Sequence, residues 1–223
     1  MPVIVDRDGD AATALSSELH CPCIVADLRD PFICRDVVQD AVQAGGRLDA
    51  IVNNAGVNDG VGLENGDPMR FRESLRTNLH HYYDIAHYAL PHLKAARGSI
   101  VNIASKTAVT GQGNTSGYAS AKGAILALTR EWAAELLPYA IRVNAIVPAE
   151  VTTPQYERWL ATFPDPKAKL ERIIARIPLG QRMTHAGEIA AAACWLLSAQ
   201  AAHITGQHWF VDGGYVHLDR ALT

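Results

Sequence analysis

Short β-branched runs alternate with longer stretches in which apolar residues recur every three or four positions, and the alternation spans almost the whole chain. The runs predict strands at residues 3–5, 23–26, 50–52, 99–103, 141–146 and 208–211. The periodic stretches predict helices at 31–44, 69–93, 118–137 and 186–197; Ile85, Ala86, Ala89, Leu90 and Leu93 show the helical repeat most clearly. Within the strand runs apolar residues follow one another without polar alternation, as in a sheet covered on both faces. Strand and helix in turn, joined by short loops bearing Gly or Asp, give an α/β fold with a mostly parallel sheet. Residues 148–179 break the pattern, with five prolines, mixed polar and aromatic residues and no clean strand. They read as a mobile excursion over a ligand site, helical near 155–162 and 167–176. One domain, 1–223, with a lid at 148–180, is the expected organisation.

Composition narrows the function classes. The chain has 223 residues, 48% hydrophobic, with 20 basic and 23 acidic side chains and a net charge of −3. Without a basic run, attraction to nucleic acid or to an anionic membrane is not expected. No apolar stretch approaches the ~20 residues of a membrane span. The opening MPVIVDRDGD is too short and too acidic for a signal peptide. The four cysteines, Cys21, Cys23, Cys34 and Cys194, form neither a disulfide framework nor a zinc knuckle, so no metal is expected. A soluble cytoplasmic protein is the expectation.

The sequence Tyr118-Ala119-Ser120-Ala121-Lys122 opens a helical pattern and places a phenol and an ammonium on one face. A phenol of pKa ~10 is a poor base near neutrality, and a neighbouring cation favours its ionised form. Thirteen residues before Tyr118, Ser105 follows the strand at 99–103, where a parallel sheet opens toward ligands. Each residue has a plainer reading. Ser105 could cap a turn, Tyr118 could be a half-buried aromatic, Lys122 a solvated neighbour and Asn78 a mid-helix polar residue bonded to backbone.

Asn53-Asn54-Ala55-Gly56, Arg76-Thr77-Asn78-Leu79, Ser105, Tyr118-x-x-x-Lys122, Arg142-Val143-Asn144 and Val211-Asp212-Gly213-Gly214 together resemble the short-chain dehydrogenase/reductase family, in order and in spacing. The stretch 105–114 and the tail 215–222 further resemble its L-fucose-type sugar dehydrogenase branch. The resemblance implies a Rossmann-like doubly wound sheet and a nicotinamide cofactor. It implies that Tyr118 takes a proton from a substrate hydroxyl. Lys122 would lower the tyrosine's pKa and bond the nicotinamide ribose, Ser105 would orient the substrate oxygen, and Asn78 would hold a water linking Lys122 to solvent.

For the cofactor, Asp6 after residues 3–5 suits ribose hydroxyls and disfavours a 2′-phosphate, so NAD is expected, with NADP admitted by Arg7. The resemblance places Asp27 and Leu28 around adenine, brings Asn53, Ala55 and Gly56 close to the cofactor, and sets Pro148, the Val151 backbone and the Thr153 hydroxyl at the nicotinamide. Ala149 stands where the family usually has Gly, which narrows the backbone there. No Gly-rich fingerprint precedes Asp6, so the family's first strand and helix, with its pyrophosphate turn, are expected to be missing. That would part the neighbouring strands and leave unpaired edges. Either the true start lies ~30–40 residues upstream, a length set by a βα unit, or the chain is truncated and binds cofactor weakly or not at all.

Lys106, Gln112, Asn114 and Glu150 suggest a polar substrate, with Asn58 and Trp159 as further contacts and Trp159 as a wall for a sugar ring. Lys106 and Gln112 could instead face bulk water. The expected reaction is oxidation of a sugar hydroxyl, the anomeric one giving a lactone. Small residues after Tyr118 (Ala119, Ala121, Ala124, Ala127, Ala133, Ala134), Trp209-Phe210 and the tail suit a homo-oligomer, a tetramer or dimer; core packing is the alternative. Two other classes stay open: an impaired relative acting as a binding or structural subunit, and an epimerase or dehydratase using the same Tyr–Lys pair.

Overall fold

The β-branched runs pair as parallel strands, and the periodic stretches pack on both of their faces. The computed structural model describes residues 1–218; the part of the tail beyond Leu218, which entered the oligomer and sugar-branch expectations, lies outside them. The elements run β1 (Ile4–Asp6), α1 (Gly9–Leu19), β2 (Cys23–Val25), α2 (Pro31–Gly45), β3 (Ala50–Asn53), α3 (Pro68–Leu75), α4 (His81–Ala96), β4 (Ser99–Ile103) and α5 (Ser116–Glu135). Then follow β5 (Arg142–Pro148), β6 (Val151–Thr152), α6 (Pro154–Leu160), α7 (Pro166–Ile174), β7 (Thr184–His185), α8 (Ala186–Leu197) and β8 (His208–Val211). The fold is the expected Rossmann-like α/β arrangement. Helix α1, in residues assigned no element from the sequence, starts at the Asp8 cap, whose side chain accepts from Ala11 N.

Parallel strands β3-β4-β5-β8 form the main sheet, while β1 and β2 pair with each other in a separate one. Thus β1 and β3 each hydrogen-bond a neighbour on one side only, the separation anticipated from the sequence. Val52, in β3, is 45% exposed although it sits in an apolar run. A third, two-stranded sheet joins β6, in the excursion read as free of strands, to β7 just beyond it.

Alternate residues of β4 and β5 face opposite layers. Ile100, Val143, Ala145 and Val147 pack with Tyr82 and Leu93 of α4 and Ile125 of α5. Val101, Ile103 and Ile146 pack against Ala193 and Leu196 of α8. Burial on both faces explains why these strands carry no polar alternation. The polar exceptions are bonded: Asn102 donates to Thr129 Oγ1 at 3.0 Å and accepts from Asn53 Nδ2 at 3.0 Å. Arg142 donates to the Leu196, Leu197 and Ser198 carbonyls, closing the C-terminal end of α8. Of the small residues on α5, Ala121 and Ala133 are core, whereas Ala127 and Ala134 face outward.

The single helix expected at 69–93 is interrupted. A π-helical turn, Arg76–His80, joins α3 to α4 and puts Asn78 at its centre, fully buried. Among the described residues no helix is long and apolar enough to cross a membrane.

Candidate active site

In a parallel sheet every strand delivers its following loop to one edge. Here the loops after β1, β2, β3, β4 and β5 line one cleft of about 2000 Å³, and α6 and α7 form part of its wall. Ser105, Tyr118 and Lys122 meet in this cleft.

Ser105 leaves β4 and caps the short 3-10 turn Lys106–Ala108, its Oγ accepting from Thr107 N at 3.3 Å and from Thr107 Oγ1 at 3.1 Å. The plain turn-capping role and a place in the site therefore coexist. Helix α5 can start against α3 because Gly117 has no side chain: a Cβ there would lie 2.4 Å from Ser74 Oγ. That approach sets Tyr118 on the first turn, one residue later. Burial raises the Tyr118 phenol, and a hydrogen bond with Ser105 partly offsets it. Lys122 follows one turn on, 3% exposed, with Nζ 5.5 Å from the Tyr118 ring centroid. Burial draws its ammonium down to about 7.

Asn78 does not line the cleft. Its Oδ1 accepts from Val57 N at 2.7 Å and its Nδ2 donates to Ser74 O at 3.0 Å, so the side chain clamps the loop after β3 to the π turn. Within that loop Gly56 passes close by: a Cβ there would stand 3.0 Å from Asn78 Oδ1 and 3.8 Å from Lys122 Nζ. Asn53 is a correction. It is buried in β3, donating to Asn102, and takes no part in the cleft wall, whereas its neighbour Asn54 does. The pleat turns Asn53 inward.

The remaining expected residues reach the cleft. Asp6, Asp27, Leu28, Ala55 and Gly56 line it. Arg29 hydrogen-bonds Asp27 and holds its carboxyl down at about 2, and Asp6 Oδ1 accepts from Asp8 N at 3.0 Å. Pro148, Val151 and Thr153 line it too; Thr153 also caps α6, accepting from Tyr156 N at 3.2 Å.

Lys106, Gln112, Asn114, Glu150 and Trp159 line the same cleft, together with Asn58, which accepts from Thr115 Oγ1 at 2.6 Å. Lys106 does not face bulk water. It is 9% exposed, ion-paired with Glu150, with Nζ 4.3 Å from the Tyr215 ring centroid. Gln112 is exposed. Tyr156 donates to Glu150 Oε2 at 2.7 Å, and burial pushes its own phenol up to about 12. Trp159 sits edge-on to Tyr156 and to Phe163.

Sequence reasoning missed Tyr156, His81 and Tyr215 in this wall. Thr153-Pro154, a cap followed by a first-turn proline, was a signal for the helix carrying Tyr156. His81 lies three residues after Asn78, on the same helical face. Its Nε2 donates to Ala55 O at 3.1 Å, and burial draws the imidazole down to about 4 from the usual 6.5. Between those values the unfolded chain binds a proton that the folded chain refuses. This contribution is intact above pH 6.5 and is lost as pH falls toward 4, by up to about 3 kcal/mol. His208 is lowered in the same direction. In urea unfolding between pH 7 and 4, His81→Gln should therefore show a shallower loss than the wild type. Equal slopes would place the proton uptake elsewhere.

A family model described as Enoyl-(Acyl carrier protein) reductase matches residues 2–216. L-fucose dehydrogenase of Oryctolagus cuniculus is 38% identical over 214 residues, spanning 95% of this chain and 75% of that protein. The crystal structure of Cj0485 dehydrogenase superposes with a TM-score of 0.94 at 45% identity, covering 100% of this chain and 87% of that one. The crystal structure of NAD⁺-bound xylitol dehydrogenase does so at 0.87 and 26% identity, covering 95% and 88%.

Proposed function

This chain belongs to the short-chain dehydrogenase/reductase family of oxidoreductases, and we propose that it oxidises a hydroxyl of a polar substrate, a sugar such as L-fucose, with NAD. The observation that carries this reading is the joint presence, in one cleft, of the Ser105–Tyr118–Lys122 set and the partly buried Lys106–Glu150–Tyr156 cluster. A hydrophobic ketone or an acyl chain would meet an ion pair there without replacing any of its hydrogen bonds. A sugar offers hydroxyls that can both donate to Glu150 and accept from Tyr156.

The residues present fit a nicotinamide. Gly56 keeps clear the space beside Lys122 that a Cβ would narrow, and among the described residues the buried Lys122 Nζ spends hydrogen bonds on two groups, out of three N–H. Oxidised nicotinamide supplies the hydride acceptor. Ser105 Oγ orients the substrate oxygen toward Tyr118. The Tyr118 phenolate oxygen takes the hydroxyl proton, and the Lys122 ammonium stabilises the negative charge before that transfer. Asp6 and Asp27 line the cleft, and their carboxylates suit ribose hydroxyls and repel a 2′-phosphate. Residues 148–180, carrying α6 and α7, serve as the lid.

The test is steady-state reduction of NAD and of NADP by a panel of aldoses, polyols and hydrophobic alcohols, followed by nicotinamide absorbance. Turnover of L-fucose or a related aldose with NAD is expected. Turnover of hydrophobic substrates without any sugar would overturn the substrate class, and preference for NADP would overturn the role of Asp6.

A further inference from the structure

Directly behind the Tyr118–Lys122 pair lies a second phenol that the proposed reaction does not use. Tyr82, in the first turn of α4, is fully buried. Its hydroxyl donates to Ile103 O at 2.9 Å and accepts from Lys122 Nζ at 3.1 Å, while Lys122 also donates to Ile103 O at 2.7 Å. Hydroxyl, ammonium and carbonyl therefore close a three-membered hydrogen-bonded ring, and Ile103 is the last residue of β4, two before Ser105.

We propose that Tyr82 is a positioning residue for Lys122, its hydroxyl holding the ammonium charged and in place beside Tyr118; this rests on the reading that Tyr118 and Lys122 carry the proton transfer. A phenylalanine would fill the same core space without burying a hydroxyl, which is unfavourable unless the group is bonded. Here both of its bonds go to the lysine's surroundings. An ammonium taken out of water keeps its proton only where acceptors replace the lost hydration, and among the described residues Lys122 has two, Tyr82 Oη and Ile103 O. Tyr82 itself does not compete as a base: burial, with Tyr118 close by, drives its phenol well above the usual tyrosine range. The titratable groups near the lysine are Tyr118 on its own helix and Tyr82 and His81 from α4. The neighbouring part of β4 offers the Ile103 carbonyl, and the loop after β3 offers Gly56.

Two readouts on Tyr82→Phe test this. First, the Lys122 side chain is titrated by NMR of the ¹³Cε-labelled protein, assigned with a Lys122→Arg control, which requires no turnover. Its midpoint should fall by about one pH unit, a tenfold loss of proton affinity. Secondly, with whichever substrate the wild type turns over, the acid limb of the kcat profile should move up by about the same amount. That limb reports Tyr118, which ionises less readily beside a neutral lysine; KM for that substrate should stay unchanged. An unchanged Lys122 midpoint overturns the proposal, even if stability drops. A shifted midpoint in an enzyme with no dehydrogenase activity sustains the proposal and sinks the assigned reaction instead. Should Tyr82→Phe not fold, 3-fluorotyrosine at position 82 keeps the shape and weakens the acceptor. It should shift the midpoint in the same direction, and no shift overturns the proposal.

Discussion

Tyr118→Phe is expected to lower kcat by ~10³-fold while leaving the chain folded, within the span that a positioned general base contributes. The ring stays in its half-buried place at the start of α5. Only the oxygen that Ser105 hydrogen-bonds is lost, together with the proton acceptor. Stability should change by about 1 kcal/mol, the net worth of one hydrogen bond. Steady-state kinetics and urea unfolding of the same preparation separate the two effects. Activity within tenfold of wild type would remove Tyr118 from the role of base and direct attention to Tyr156, which lines the same cleft.

Glu150→Leu is expected to act mainly on stability, by ~3–5 kcal/mol, because it takes the carboxylate away from a buried ammonium. The Lys106 and Glu150 side chains are each only 11% exposed, so solvent offers little replacement. Tyr156 would also lose the acceptor of its hydroxyl. For a chain of this size the melting temperature should fall by on the order of 10 °C. The double variant Lys106→Met, Glu150→Leu should recover most of that loss, since an apolar pair replaces an ionic one without leaving a charge behind. Its KM for the sugar should nevertheless stay raised by ~10-fold, the loss of about one hydrogen bond to a charged group. A double variant with wild-type sugar KM would show that the cluster supports the lid without reading the substrate. Differential scanning calorimetry and saturation kinetics make the comparison.

The elements legible along the chain were those whose pattern is local. The strand at 99–103 and the helix at 186–197 match β4 and α8 at both ends, since uninterrupted apolar runs and 3.6-residue periodicity need no partner to be recognised. Helix α1 was not legible: only Ala12 is buried along it, so little periodicity reaches the sequence. The π turn was not legible either, because Arg76–His80 continues an ordinary helical pattern and its register follows from what Asn78 bonds across the fold.

Tyr118-x-x-x-Lys122, with Ser105 ahead of it, was readable because one helical turn places two side chains on one face and a parallel sheet sends its loops to one edge. Sequence by itself thus determined the parallel α/β arrangement, the family resemblance and the Ser105, Tyr118 and Lys122 set that meets in the cleft. Only the tertiary structure decided what surrounds them. It turned Asn53 into the sheet, set Asn78 as a clamp on the loop after β3, paired Lys106 with Glu150, and placed Tyr82 behind Lys122. These are contacts between residues distant in the chain. Their strength comes from removing water around charged and polar groups, a property of packed layers that local spacing does not encode.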